Sequence, residues 1–212
     1  MRRALQIALV AATGLTGPVA AHPHIFVDAA TVFQIDGTGQ LTGLRITWTY
    51  DAFTSLVMFD QLNLDPDGDG RLDDADRAAI VAGETEWPPD YNGDVHLDLE
   101  GRAIAMGRPE NGEAWMADDR VSVAFNLPLA EPIASPDRAR LRLYDPYYYY
   151  AYTMVGAALS TEDVCTVRVD PFVLDEASRR VQVSLFELGR EETPEQEDVG
   201  ALFADEVHLS CE

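Results

Sequence analysis

The chain has 212 residues, with 37 acidic and only 15 basic side chains, for a formal charge of −22. A surface of that sign repels nucleic acid and anionic lipid and attracts cations. Every basic residue is arginine, which excludes a Schiff-base or P-loop lysine.

Arg2 and Arg3 precede an apolar run from Ala4 to Leu15 broken only by Gln6, Thr13 and Gly14. That pattern predicts a secretory signal peptide over residues 1–21, cut after Val19-Ala20-Ala21 to leave His22 as the new terminus, with Ala21 as the alternative. The run is about half of the ~20 residues that span a bilayer. No cysteine lies at the cut, so no membrane anchor is expected, and the mature protein should be soluble in the periplasm. Residues 22–212 are then read as a single mainly-β domain.

Residues 25–35 alternate as a strand, Gly37 and Gly39 mark a turn, and "LTGLRITWTY" forms a second strand, so the two read as a hairpin. In "DAFTSLVMFDQL" the period changes: Phe53, Leu56, Val57, Phe59 and Leu62 are spaced for a helix, with Asp51 placed to cap it. A second helix is predicted from about Asp74 to Ala82, ending at Gly83. The segments "DVHLDLEG", "RVSVAFNL", "ARLRLYD", "DVCTVRVD" and "RVQVSLFEL" all alternate like strands. The C-terminal segment predicts a short helix to about Ala204 and a final strand to Cys211. The fold class implied is α+β, mainly β: an antiparallel sheet or sandwich with an EF-hand-like helix-loop-helix insertion at about 51–83.

Between the two helices lies "DPDGDGRLDDAD". Asp65, Asp67 and Asp69 fall at loop positions one, three and five, Gly70 at six, Leu72 at eight and Asp76 at twelve, which is EF-hand calcium spacing. A hard cation wants six to eight oxygens, and the three early carboxylates, the Arg71 carbonyl, Asp73 through water and Asp76 would supply them. Aspartate stands at position twelve where glutamate is usual, one methylene shorter, so affinity should fall. The expected role of calcium is structural, because several carboxylates on one short loop repel one another.

Of the 4 histidines, His22 and His24 are separated by a single proline. In extended chain they share a face, with Cα atoms about 6.6 Å apart, so both imidazoles can converge on one metal. A free amine at His22 would add a third nitrogen, whereas a chelate through successive amides is excluded because Pro23 has no N–H. His96 lies on the polar face of its strand beside Asp98 and is the expected recruit; His208 is a weaker one. Imidazole with carboxylate suits zinc, nickel, cobalt or copper.

Cys165 and Cys211 are the only cysteines, and an even pair in an exported chain implies a disulfide. A thiolate metal site using Cys211 and His208 is the rival that an oxidising compartment disfavours. Tyr147, Tyr148, Tyr149 and Tyr150 form an aromatic run that serves either as cross-strand packing or as a recognition surface. No G-x-S-x-G, H-E-x-x-H or G-x-G-x-x-G occurs, so nothing argues for an enzyme.

Taken together, Ala21-His22-Pro23-His24 with Phe26 and Asp28, the D-x-D-x-D-G loop, Asp145-Pro146 with Tyr148, Tyr149 and Ala151, and Phe203-Ala204 before Cys211 resemble family 1007 of the domains of unknown function. The resemblance covers essentially residues 22–212. It implies a periplasmic component of an uncharacterised ABC-type transport system, found beside nickel/cobalt-type permeases. The expectation is therefore an accessory protein that handles a divalent transition metal, zinc or nickel/cobalt foremost, for a membrane metal permease or ABC-type transporter. Its alternatives are an exported, calcium-stabilised protein-interaction module and a copper oxidase using an amino-terminal histidine pair.

Overall fold

Period-two burial along the first strands decides how the layers form. In β1 (Ile25–Ile35) every second residue from Val27 to Ile35 is buried. β2 (Leu41–Tyr50) answers it antiparallel, with Leu44, Ile46, Trp48 and Tyr50 on the buried side. The Asp36 carboxylate accepts the amides of Thr38 and Gln40 and so closes the predicted hairpin. The computed structural model describes residues 22–161, 165–189 and 192–211. The expected signal segment, 1–21, lies outside the described residues.

Two helices follow, α1 (Ala52–Leu62) and α2 (Asp74–Thr85), then β3 (Val95–Leu99), β4 (Arg102–Ala103), β5 (Glu110–Ala117), β6 (Arg120–Ile133) and β7 (Ala139–Leu143). β8 (Tyr150–Leu159), β9 (Cys165–Asp170), α3 (Glu176–Phe186), a 3-10 turn (Val199–Leu202) and β10 (Glu206–Cys211) complete the order. Among the described residues the strands build two five-stranded sheets, ordered β5-β6-β2-β1-β8 and β4-β3-β7-β10-β9. β1 and β8 run parallel. The neighbouring pairs β1–β2, β2–β6 and β3–β7 are antiparallel.

Both sheets feed one core. Phe33, Leu44, Ile46 and Phe125 from the first meet Leu97, Leu141, Val207 and Leu209 from the second. Burying each such side chain is worth about 1.5–3 kcal/mol, so the shared core is what holds the layers together. The mainly-β reading thus stands, with a helical pair between β2 and β3.

Local detail departs from expectation in three places. "RVQVSLFEL" is not a strand: Asp175 and Ser178 form a capping box, and α3 runs through the segment. Val181 and Leu185 are spaced four apart, and they pack with Phe203 and Leu188 in a small second cluster. The strand-like alternation was a coincidence of valines on two helix faces. α2 passes through Gly83 to Thr85, because no tertiary contact forces an exit before the Trp87-Pro88-Pro89 segment.

The third departure concerns α1, which exists as expected but is rotated so that Thr54 and Ser55 face inward along with Met58 and Phe59. Thr54 and Ser55 are buried while Phe53 is 72% and Leu56 69% exposed. Hydrogen bonding sets that rotation: the Ser55 hydroxyl accepts the Val121 amide at 2.9 Å, and Thr54 Oγ1 donates to Asp51 at 2.6 Å. A buried strand amide without that hydroxyl would cost about 1–3 kcal/mol.

Cys165 and Cys211 are joined, facing each other in the β9–β10 register. The bridge closes a separation of 46 residues and so restricts the unfolded chain. Replacing both cysteines by serine should lower stability by about 2–4 kcal/mol, read as a shift of the urea midpoint. An unshifted midpoint would remove the bridge from the account of stability.

Candidate functional site

The parallel pairing of β1 with β8 brings the histidine stretch to the tyrosine run. The amides of His24 and Ile25 both donate to the Tyr149 carbonyl, at 2.9 and 3.2 Å, just before Ile25 pairs with Tyr150. The His22 and His24 rings lie edge to face with centroids 5.1 Å apart, and the Tyr149 ring is 4.5 Å from His24. His22 is 4% exposed.

The His22 ring is held in one tautomer. Nε2 stands 3.1 Å from the Glu192 carbonyl, which can only accept, so Nε2 carries a proton and the neutral form of the ring has its lone pair on Nδ1. Nδ1 is buried and has no hydrogen-bond partner within the described residues. A ring nitrogen tied to a backbone carbonyl with its other nitrogen left bare is the arrangement seen around metal-ligating histidines.

The other expected ligands stand elsewhere. His96 stacks on Tyr144 at 3.6 Å, and its Nε2 donates to the Tyr144 carbonyl at 3.1 Å. Burial chiefly, with the charge of Arg142 adding and the hydrogen bond to Tyr144 opposing, lowers its pKa and favours the neutral ring. Asp98 is occupied by Arg140 at 2.9 Å and by the Gly101 amide. His208 sits between Asp170 and Glu206, at 3.4 and 3.2 Å. The four-residue set of His22, His24, His96 and Asp98 is therefore not assembled: His96 and Asp98 belong to the second sheet and have guanidinium neighbours, which repel a cation.

Among the described residues, one group of three or more potential ligands has its donor atoms within 4.8 Å of one another, namely Asp65, Asp67 and Asp69. Asp65 accepts the amides of Asp69 and Gly70, both at 2.9 Å, and Gly68 and Gly70 take positive φ to make the turn. A hydrogen bond with the Asp65 carboxyl, and then the charge of Asp69, push the Asp67 carboxyl up. Carboxylates crowded enough to share a proton fit a hard cation. Asp73 caps α2, and buried Asp76 accepts the amides of Asp73 and Asp65, so positions nine and twelve already anchor the loop to the helix.

The tyrosine run divides. Asp145 accepts the amides of Tyr147, Tyr149 and Tyr150, and Tyr148 takes a positive φ, so successive rings leave in different directions. Tyr148 stacks on Phe203, Tyr147 is exposed, and Tyr149 reaches the histidines. Tyr150 and Tyr152 line a cleft with Trp48, Trp87 and Tyr91 that sequence reading missed. "EWPPDYNGD" carried the signal, since aromatic and acidic residues in a Pro/Gly loop are rarely placed for packing alone.

A family model described as protein of unknown function, DUF1007, matches residues 7–211. The chain belongs to that family. It is also similar to an uncharacterized protein of Haemophilus influenzae, at 27% identity over 200 residues, covering 92% of this chain and 93% of the relative. Both spans include the histidine stretch, the acidic loop and the tyrosine turn of this DUF1007 chain.

In the cleft Asp94 is buried, and its carboxyl is pushed up to about 7, chiefly by burial, with Asp145 adding and the Tyr152 and Tyr91 hydroxyls opposing. An acid whose folded pKa exceeds its unfolded one contributes stability that is whole below about pH 4 and is lost as pH rises through about 7. Asp94→Asn keeps the shape and tolerates the positive φ there. Relative to native protein, the variant should gain stability as pH is raised from about 4 to about 8, measured by urea midpoints across that range. A constant difference would place the ionisation elsewhere.

Proposed function

We propose that this protein is an exported, periplasmic accessory that binds a divalent transition metal, zinc or nickel/cobalt foremost, and passes it to or from a membrane metal permease or ABC-type transporter. The carrying observation is His22, whose Nε2 is tied to the Glu192 carbonyl while Nδ1 is buried and bare beside the His24 ring. His22 and His24 would hold the ion, and an α-amine at His22, released by cleavage after Ala21, would supply a third nitrogen. The transporter partner rests on the family resemblance.

Calorimetric titration of metal-stripped mature protein with zinc, nickel, cobalt and copper, in calcium-containing buffer, tests this. Submicromolar binding by the native protein, abolished in His22→Ala/His24→Ala, is the expected result. Absence of binding, or equal binding by the variant, sinks the reading.

The acidic loop is proposed as an EF-hand-like structural calcium site, with Asp65, Asp67 and Asp69 holding the ion and Asp73 and Asp76 anchoring α2. Calcium should raise the melting temperature of the protein, and Asp67→Asn should reduce that rise. Equal melting of chelated and calcium-loaded protein would falsify a stabilising site.

One observation favours the alternative of an interaction module: Phe26, Phe53 and Leu56 are exposed, although apolar side chains of that size are usually covered. That module would keep the calcium response and show no transition-metal binding.

A further inference from the structure

Beyond the metal reading, the cleft on the far side of Tyr149 has a chemistry of its own. It has a volume of about 710 Å³, comparable to pockets that take small molecules. Its walls are Trp48 and Tyr50 from β2, Trp87 and Tyr91 from the segment after α2, and Tyr150 and Tyr152 from β8. Glu84, Asp94 and Asp145 also line it, and no arginine or histidine does among the described residues. Aromatic faces are electron-rich, and they attract a cation by about 0.5–2 kcal/mol each when it is desolvated. The aromatic faces and the acidic side chains of the lining therefore favour positive charge.

Packing fixes part of this wall, since Trp48 and Tyr50 are buried and both indoles meet Phe125 edge to face, at 4.9 and 5.5 Å. The Tyr50 hydroxyl donates to Glu84 at 2.5 Å and the Tyr152 hydroxyl donates to Asp94 at 2.9 Å, so two carboxyls are held at the base of an aromatic enclosure. Trp48 and Trp87 lie roughly parallel with centroids 6.4 Å apart, and Trp87 meets Tyr91 edge to face at 5.6 Å. Gly93 permits that loop geometry, because a Cβ there would lie 2.2 Å from the Trp87 ring. The Trp48 indole Nε1 is buried with no hydrogen-bond partner within the described residues, although Trp48 is only 3% exposed.

The carboxyls already accept from tyrosines, so a ligand that needs strong N–H···O bonds gains less here than one that offers charge without N–H. An alkylated ammonium group meets that condition. A carboxylate-bearing zwitterion would be repelled by Asp145, and by Glu84 and Asp94 once they ionise, which burial shifts to higher pH. We propose that the cleft bounded by Trp48, Trp87, Tyr91, Tyr150, Glu84 and Asp94 binds a small organic cation, an alkylated ammonium. This site is separate from the ion proposed at His22 and His24.

Choline is the probe, with tetramethylammonium and glycine betaine as comparisons, read by tryptophan fluorescence and by calorimetry on the mature protein. Expected are saturable binding of choline and of tetramethylammonium, and a loss of at least about tenfold for glycine betaine, a tenfold change being 1.4 kcal/mol. Asp94→Asn and Glu84→Gln, each checked for native circular dichroism, should each weaken choline about tenfold. The His22→Ala/His24→Ala variant should keep full choline binding while losing transition metal, so the two readings fail separately. No saturable choline binding, equal binding of glycine betaine, or choline affinity unchanged in both carboxyl variants overturns the proposal.

Discussion

The Asp145 carboxylate gathers the backbone amides of Tyr147, Tyr149 and Tyr150, and most of what is distinctive in this molecule depends on that turn. Charge-assisted hydrogen bonds of this kind are among the stronger ones available to a loop. The turn launches β8 in register beside β1, and the parallel ladder then aligns Ile25 with Tyr150 and Val27 with Tyr152. Gly200 closes over the same turn, where a Cβ would lie 1.9 Å from the Asp145 carbonyl oxygen. The Asp-Pro-x-Tyr-Tyr stretch and the glycine near the C-terminus are thus two halves of one junction.

From that junction the tyrosines are distributed to three tasks. Tyr148 covers the small cluster under α3, Tyr149 touches the histidines, and Tyr150 with Tyr152 walls the cleft. A single row of aromatic residues could not serve three places in a straight strand, where side chains alternate between two faces. The positive φ at Tyr148 breaks the alternation.

Electrostatics gives the sheets different surroundings. Arg140 joins Asp98 to Glu206 across β3, β7 and β10, and Arg142 lies over the Tyr144 ring at 5.2 Å, so the second sheet neutralises its own acids. The cleft, with its buried Asp94 and half-buried Glu84, has no such arginine in its lining among the described residues. Where acids are left unpaired by protein cations, the field favours a cation from outside, and this separates the cleft from the face carrying His96.

Local chemistry was legible in the chain itself. The hairpin, the Asp51 cap, the acidic loop with Gly70, and the alternation of the β3, β7 and β9 segments depend on neighbours within a few residues, and periodicity reports such neighbours directly. The cysteine pair followed from composition and the expected export. Tertiary structure alone decided the rest. A capping box and an apolar cluster made Glu176–Phe186 a helix, a strand amide on β6 turned Ser55 inward and Phe53 outward, and sheet membership carried His96 and Asp98 away from His22 and His24. The cleft was hidden for the same reason: Trp48, Glu84, Tyr91 and Tyr152 are far apart in sequence, the pairing of β1 with both β2 and β8 brings Trp48 to Tyr152, and the Tyr50–Glu84 hydrogen bond and the Trp87–Tyr91 ring contact add the rest.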